Sequence, residues 1–236
     1  MLNDDPVHQR MLALIQEWEQ AHDRRSIFLS CYAMMTENML TAIQSGEFHD
    51  PAWVDALLHH FAGYYFTALD AYESQPADTP QVWQLAFDAA RQPRTYVLQN
   101  LLLGINAHIN YDLVLAVSDQ LRPEWDALSP EQRQQRYQDH RRVNEVIAQT
   151  VDAVQDQVVE RYSKDLEIID VLLGPLDEWV ASAMISEWRE NVWEHAVRMV
   201  ELQDDAEREQ LRQAVEIKAH RFGEHILLRV DHEDAG

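Results

Sequence analysis

The chain contains one cysteine, Cys31, in 236 residues. That excludes a disulfide framework and any cysteine-based zinc or iron–sulfur site. Glycine is scarce, at 6 residues, which favours long helices over a turn-rich β architecture. Basic residues are outnumbered: 19 Lys and Arg against 41 Asp and Glu give a net charge of −22. This balance argues against nucleic acid as the main partner, since phosphate binding needs clustered Lys and Arg. It argues equally against docking on an anionic membrane. No uninterrupted apolar run approaches the roughly 18 residues of a membrane span. The N-terminus, MLNDDPVHQRMLALIQ, lacks the basic and apolar regions of a secretory signal. A cytoplasmic protein with no membrane partner is therefore expected.

What is present reads as helix throughout. Several of the 8 prolines follow capping-type residues, as in Asp50-Pro51, Thr79-Pro80 and Ser129-Pro130. Proline suits the first helical position, where its missing N–H would have no partner anyway. Ser129 is followed three residues later by Gln132, the spacing of a capping box. Asp23 and Asp204 read as N-caps. About eight helices are predicted, over residues 6–21, 24–45, 51–73, 80–91, 94–121, 130–162, 176–203 and 205–229, with short helical turns near 124–128 and 164–173. No alternating strand pattern, internal repeat or low-complexity tract interrupts them. The expectation is one all-α domain, a multi-helix bundle over residues 1–236.

The informative residues are polar groups that fall inside apolar stripes. In helix 94–121 the stripe runs Leu98, Leu101, Leu102, Ile105, Ile109, Leu113 and Ala116, and His108 and Asp112 lie within it at i and i+4. Side chains at that spacing are neighbours. Burying either without a partner is costly. Asn106 and Asn110 form a second such pair on the flank. Gly104 sits mid-helix, where it costs about 1 kcal/mol relative to alanine, and reads as a point of close helix packing or ligand approach.

Helix 130–162 repeats the pattern. His140 and Asn144 lie on a face made by Val143, Ile147, Val151, Val154 and Val158, and Asp139 lies on its flank. Helix 51–73 buries Val54, Leu57, Leu58, Phe61, Tyr65, Leu69 and Tyr72, with His60 and Tyr64 at the edge. In helix 176–203, Glu187, Glu190, Glu194 and Glu201 form an outward acidic face, and Arg189 reads as a surface residue within reach of an anion.

Two chemistries fit these groups. His60, His108, Asp112 and His140, if they converge, suit one divalent metal ion such as Zn, Mn or Fe, and metal-bound water would be a nucleophile near neutral pH. Without metal, His108 and Asp112 would form an acid–base pair with His140 and Asn144, while Asn106, Asn110 and Tyr64 hold a small-molecule substrate. The first points to a metal-assisted hydrolase, the second to an isomerase, lyase or cyclase. A third reading is a non-catalytic binding or scaffold protein whose inner polar groups satisfy each other. In that case faces beside Trp179 and Trp193 would serve a partner or a homodimer. Phosphate loops, dinucleotide fingerprints and His-Glu-x-x-His are all missing.

The string Leu101–Leu113 (LLLGINAHINYDL), with Phe48–Val54 (FHDPAWV), Asp139-His140…Asn144 and Trp188–Trp193 (WRENVW), resembles a family of all-helical bacterial proteins of unknown function. That resemblance implies the fold and transfers no catalytic residue. A remoter likeness is to the helical zinc-dependent phospholipase C and single-strand nuclease group. His108–Asp112 is similar to its His-x-x-x-Asp, and His140…Asn144 stands where its later His-x-x-x-Glu would be, with Asn in place of the carboxylate. The chain also has no N-terminal tryptophan of the kind those enzymes use. This likeness implies one metal ion at most.

Overall fold

A computed structural model describes residues 5–154 and 178–228, with side chains at 5–150 and 183–228. Eight helices account for nearly all of it: α1 (Pro6–Gln20), α2 (Arg25–Gln44), α3 (Pro51–Ser74), α4 (Gln81–Ala90), α5 (Val97–Leu121), α6 (Pro130–Val154), α7 (Glu178–Glu201) and α8 (Asp205–Leu228). There is no strand among the described residues. The fold is a single all-α domain.

Proline and its capping partners set the helix starts as expected. Asp50 Oδ1 accepts the Trp53 N–H at the head of α3. Ser129 and Gln132 close a reciprocal capping box at α6. Asp204 Oδ1 accepts the Ala206 and Glu207 N–H groups at α8. Thr79 is the exception. Pro80, with no side-chain cap, precedes α4, and the buried Thr79 hydroxyl has no hydrogen-bond partner. The ends of α6 and α7, the turns expected at 164–173, and the side chains of Val151, Val154, Val158 and Trp179 lie outside the described residues.

Helix α5 forms the axis of the molecule. Helices α2, α4 and α8 pack on its first half, and α3 and α7 on its second. By length and composition Val97–Leu121 could cross a membrane, but 78% of its most apolar window is buried inside the fold. The expected one-sided stripe is corrected accordingly. Leu103, Ala107, Tyr111, Val114, Leu115 and Val117 are buried as well as Leu101, Leu113 and Ala116, because a central helix is covered all round. Gly104 serves close packing: a Cβ there would meet Phe28 of α2 at 2.3–2.7 Å.

Candidate functional site

Mid-way along α5 the backbone widens. His108–Asp112 form a π-turn in which the Leu113 N–H reaches back to the His108 carbonyl. Such turns interrupt α-helices often at functional sites. Here the turn brings the His108 and Asp112 side chains together, with His108 Nδ1 3.2 Å from Asp112 Oδ2. The same carboxylate oxygen accepts the indole N–H of Trp83, from α4, at 2.9 Å.

Aromatic side chains from three other helices enclose the pair. Phe61 of α3 stacks on the His108 ring at 3.7 Å and 11°. Tyr32 of α2 meets that ring edge-on at 4.1 Å. Phe28 and Tyr65 complete the wall. His108 and Asp112 are buried, yet Phe61 on the outer side of the imidazole is only half-buried. Two buried polar atoms in this shell have no hydrogen-bond partner: His108 Nε2 and the Tyr65 hydroxyl. Such atoms are few in native proteins and each calls for an explanation.

Burial sets the protonation of the pair. It pushes Asp112 well above the carboxylate range, against the opposing Trp83 hydrogen bond, and pulls His108 well below the usual imidazole value. Both groups therefore prefer their neutral forms. With Asp112 protonated, its hydroxyl donates to His108 Nδ1 and Nε2 carries a proton. With Asp112 ionised, Nδ1–H donates to the carboxylate and Nε2 presents a bare lone pair. One proton thus switches Nε2 between acid and base.

His140 and Asn144 are not part of this constellation. They belong to a second buried cluster, between α6 and α7, centred on Arg189. The Arg189 Nε donates to Asn144 Oδ1 at 2.7 Å and its Nη2 to the His140 carbonyl at 2.6 Å. His140 Nε2–H donates in return to the Arg189 carbonyl at 2.9 Å, leaving Nδ1 facing Nη2 at 3.4 Å. The surface position expected for Arg189 is corrected: it is 5% exposed, and burial pulls its guanidinium down to about 9. The convergence of His108 and Asp112 with His140 and Asn144, on α5 and α6, is corrected too. Helix α7 lies against both, and its Val192, Ala196 and Met199 are buried there. Asp139, also buried, accepts the His49 and Asp50 N–H groups and ties the loop before α3 to α6.

The remaining residues go elsewhere. His60 sits on the surface with Tyr64, and both engage Asp119 of α5, at 3.3 and 2.5 Å. Asn106 Nδ2 donates to the Ala219 carbonyl of α8 and ties α5 to α8, while Asn110 donates to Asn106 Oδ1 within α5. The structure joins His108 to Asp112 and does not join either to His60 or His140. Among the described residues no group of three or more His, Cys, Asp or Glu side chains is placed to hold a metal ion. Trp83 and Tyr65 went unrecognised as site residues, because an aromatic at an apolar helical position carries no mark of the polar atom it meets.

These observations define a class: an all-helical globule whose central helix opens into a buried His–Asp pair. The chain belongs to the family of unknown function DUF5995, whose profile matches residues 5–229. No curated protein and no solved structure matches it.

Proposed function

We propose that the chain is an enzyme that transforms a small, largely apolar molecule by metal-free acid–base chemistry. His108 Nε2 is the proton donor or acceptor, Asp112 orients the imidazole, and Trp83 fixes the carboxylate. The observation that carries this reading is the buried Nε2 atom with no hydrogen-bond partner, on a ring whose other nitrogen and one face are fixed. A base needs an orienting group on one side and an open valence on the other. The aromatic wall suits an apolar substrate, and the matching reactions move a proton: isomerisation, elimination or cyclisation. Phe61 would swing aside to admit it. Metal-assisted hydrolysis, with the likeness to the zinc phospholipase and nuclease group behind it, is less favoured, because its ligands His60 and His140 have neighbours other than the His108–Asp112 pair.

The test compares the protein with His108→Phe on a mixture of cellular small molecules, followed by mass spectrometry. A compound converted to an isomer or elimination product by the wild type, with chelator present, and untouched by a variant of similar melting temperature, is the expected result. No conversion, or equal conversion by the variant, overturns the proposal. Conversion that stops on chelation transfers the reading to the metal-assisted reaction.

A second reading has its own observation. His108 and Asp112 are 5% and 1% exposed, as in a core pair that only holds helices together. It makes the protein a binding or scaffold module.

A further inference from the structure

Away from α5, the Trp125–Ala127 turn, the first turns of α6 and the middle of α7 surround a groove of about 410 Å³. Its walls include Trp125, Arg133, Tyr137, Glu190, Trp193 and Val197. Neither the buried His108 pair nor the Arg189 cluster lines it.

The groove holds one positive and one negative side chain that do not pair with each other. The Arg133 guanidinium lies 4.4 Å over the Trp125 ring and donates from Nη2 to the Trp125 carbonyl at 2.7 Å. Its Nε is buried and has no hydrogen-bond partner. Glu190, on the facing helix, accepts the Tyr137 hydroxyl at 2.6 Å. Among the described residues neither Arg133 nor Glu190 has an ion-pair partner, whereas Arg10, Arg25, Arg136, Arg142, Arg208 and Arg212 do. Tyr137 and His140 back the Trp193 ring at 5.4 and 5.3 Å, so it is a fixed wall rather than a loose surface side chain.

A rigid cation with no carboxylate partner invites an anion, and a carboxylate with no cation partner invites an ammonium group. A purely anionic ligand would meet Glu190 and the chain's net charge of −22. A purely cationic one would meet Arg133. The aromatic and aliphatic walls ask for a flat apolar body beside the charged groups. We propose that this groove binds a small zwitterion of the aromatic amino-acid kind, with its carboxylate on Arg133, its ammonium on Glu190 and its ring against Trp193 and Val197.

Isothermal titration of the full chain with L-phenylalanine tests this, with phenethylamine and 3-phenylpropionate as probes that each lack one charge. Saturable binding of L-phenylalanine is expected, with a dissociation constant near or below about 1 mM. Each one-charge analogue, and each of Arg133→Gln and Glu190→Gln, should bind at least about tenfold more weakly. Arg133 also supports the Trp125 turn, so Glu190→Gln, which keeps size and fold, carries the test if Arg133→Gln loses its melting transition. No binding of L-phenylalanine, equal binding of either analogue, or an unaffected Glu190→Gln overturns the proposal.

Discussion

His108 and His140 begin the same way: each is a buried histidine with a polar side chain four residues on, in a helix with an apolar face. They end differently. At His140 both ring nitrogens face Arg189, Asn144 takes the guanidinium Nε–H, and the cluster is closed on itself. At His108 one nitrogen meets Asp112 and the other meets nothing, inside an aromatic shell. A closed cluster holds two helices together. An open one leaves a buried nitrogen without a hydrogen bond, at a cost in stability that packing elsewhere must offset. The same sequence pattern therefore supports two arrangements, and the difference lies in what the opposing helix presents.

The largest expected effect breaks the closed cluster. Arg189→Ala should lower unfolding free energy by about 3 kcal/mol, from the lost packing and from the His140 carbonyl and Asn144 oxygen left without a donor. Denaturant titration measures it. A loss under about 1 kcal/mol would mean that the cluster is not what joins α6 to α7.

The open pair should respond in the opposite sense. Replacing both members by apolar groups, as His108→Phe with Asp112→Leu, should leave stability within about 1 kcal/mol of wild type or above it, because a buried polar pair is often no better than well-packed apolar residues. Asp112→Leu alone should cost more than the double change, since it strands the His108 Nδ1 as well as the Trp83 N–H, and only the latter is left unpaired by both variants. If the double variant is the less stable one, the pair is structural.

The pH dependence sharpens the same contrast. Unfolded, Asp112 and His108 titrate near about 3.9 and 6.5. Folded, burial raises the first and lowers the second. Between those two values the folded neutral pair and the unfolded ion-forming pair hold the same number of protons, so the pair gives no slope. Above about 6.5 the unfolded chain loses a proton that the folded pair keeps. Stability should then fall with pH by up to about 1.4 kcal/mol per unit until the folded pair itself titrates. Below about 3.9 it should fall again as the unfolded carboxyl protonates. The double variant should lack both slopes, and a difference between it and the wild type that stays constant in urea titrations from pH 4 to 9 would mean that burial shifts neither group.

The smallest effect belongs to a half-exposed pair. Partial burial of His59 would lower its value, but the Asp55 carbonyl and the Asp5 carboxylate, 2.8 Å from Nε2, raise it overall. Its contribution is full below about 6.5 and is lost as pH rises through the raised value. Asp5 is held low by its hydrogen bonds from His8, His59 and Val7 against its own burial, so its contribution is lost only in acid. Asp5→Asn keeps the cap on α1 and should remove under about 1 kcal/mol at pH 5.5 and nearly nothing at pH 9. An equal loss at both values would assign the effect to the cap alone.

Much of the architecture was legible in the residues. Asp50-Pro51, Ser129-Pro130 with Gln132, and Asp204 place helix starts through bonds that span three residues, and those bonds form as expected. The pair His108–Asp112 was legible too, because residues four apart on one helix are neighbours whatever surrounds them. The wider set was not. His60, Asn106, His140 and Asn144 found partners on α5, α8 and α7, and a distance between helices has no signature within one helix. Arg189 looked like surface because its own turn is acidic, while the acceptors that bury it belong to α6.

Sequence by itself determined that this chain is helical, where most helices start, and that His108, Asp112 and His140 lie on apolar faces. It determined also that the charge of −22 sits largely on outward faces, among them Glu187, Glu194 and Glu201. Only the tertiary structure decided which buried histidine is closed off and which keeps a free nitrogen. Periodicity fixes the direction in which a side chain points, but the group waiting there belongs to another helix, and helix packing alone brings the two within hydrogen-bonding distance.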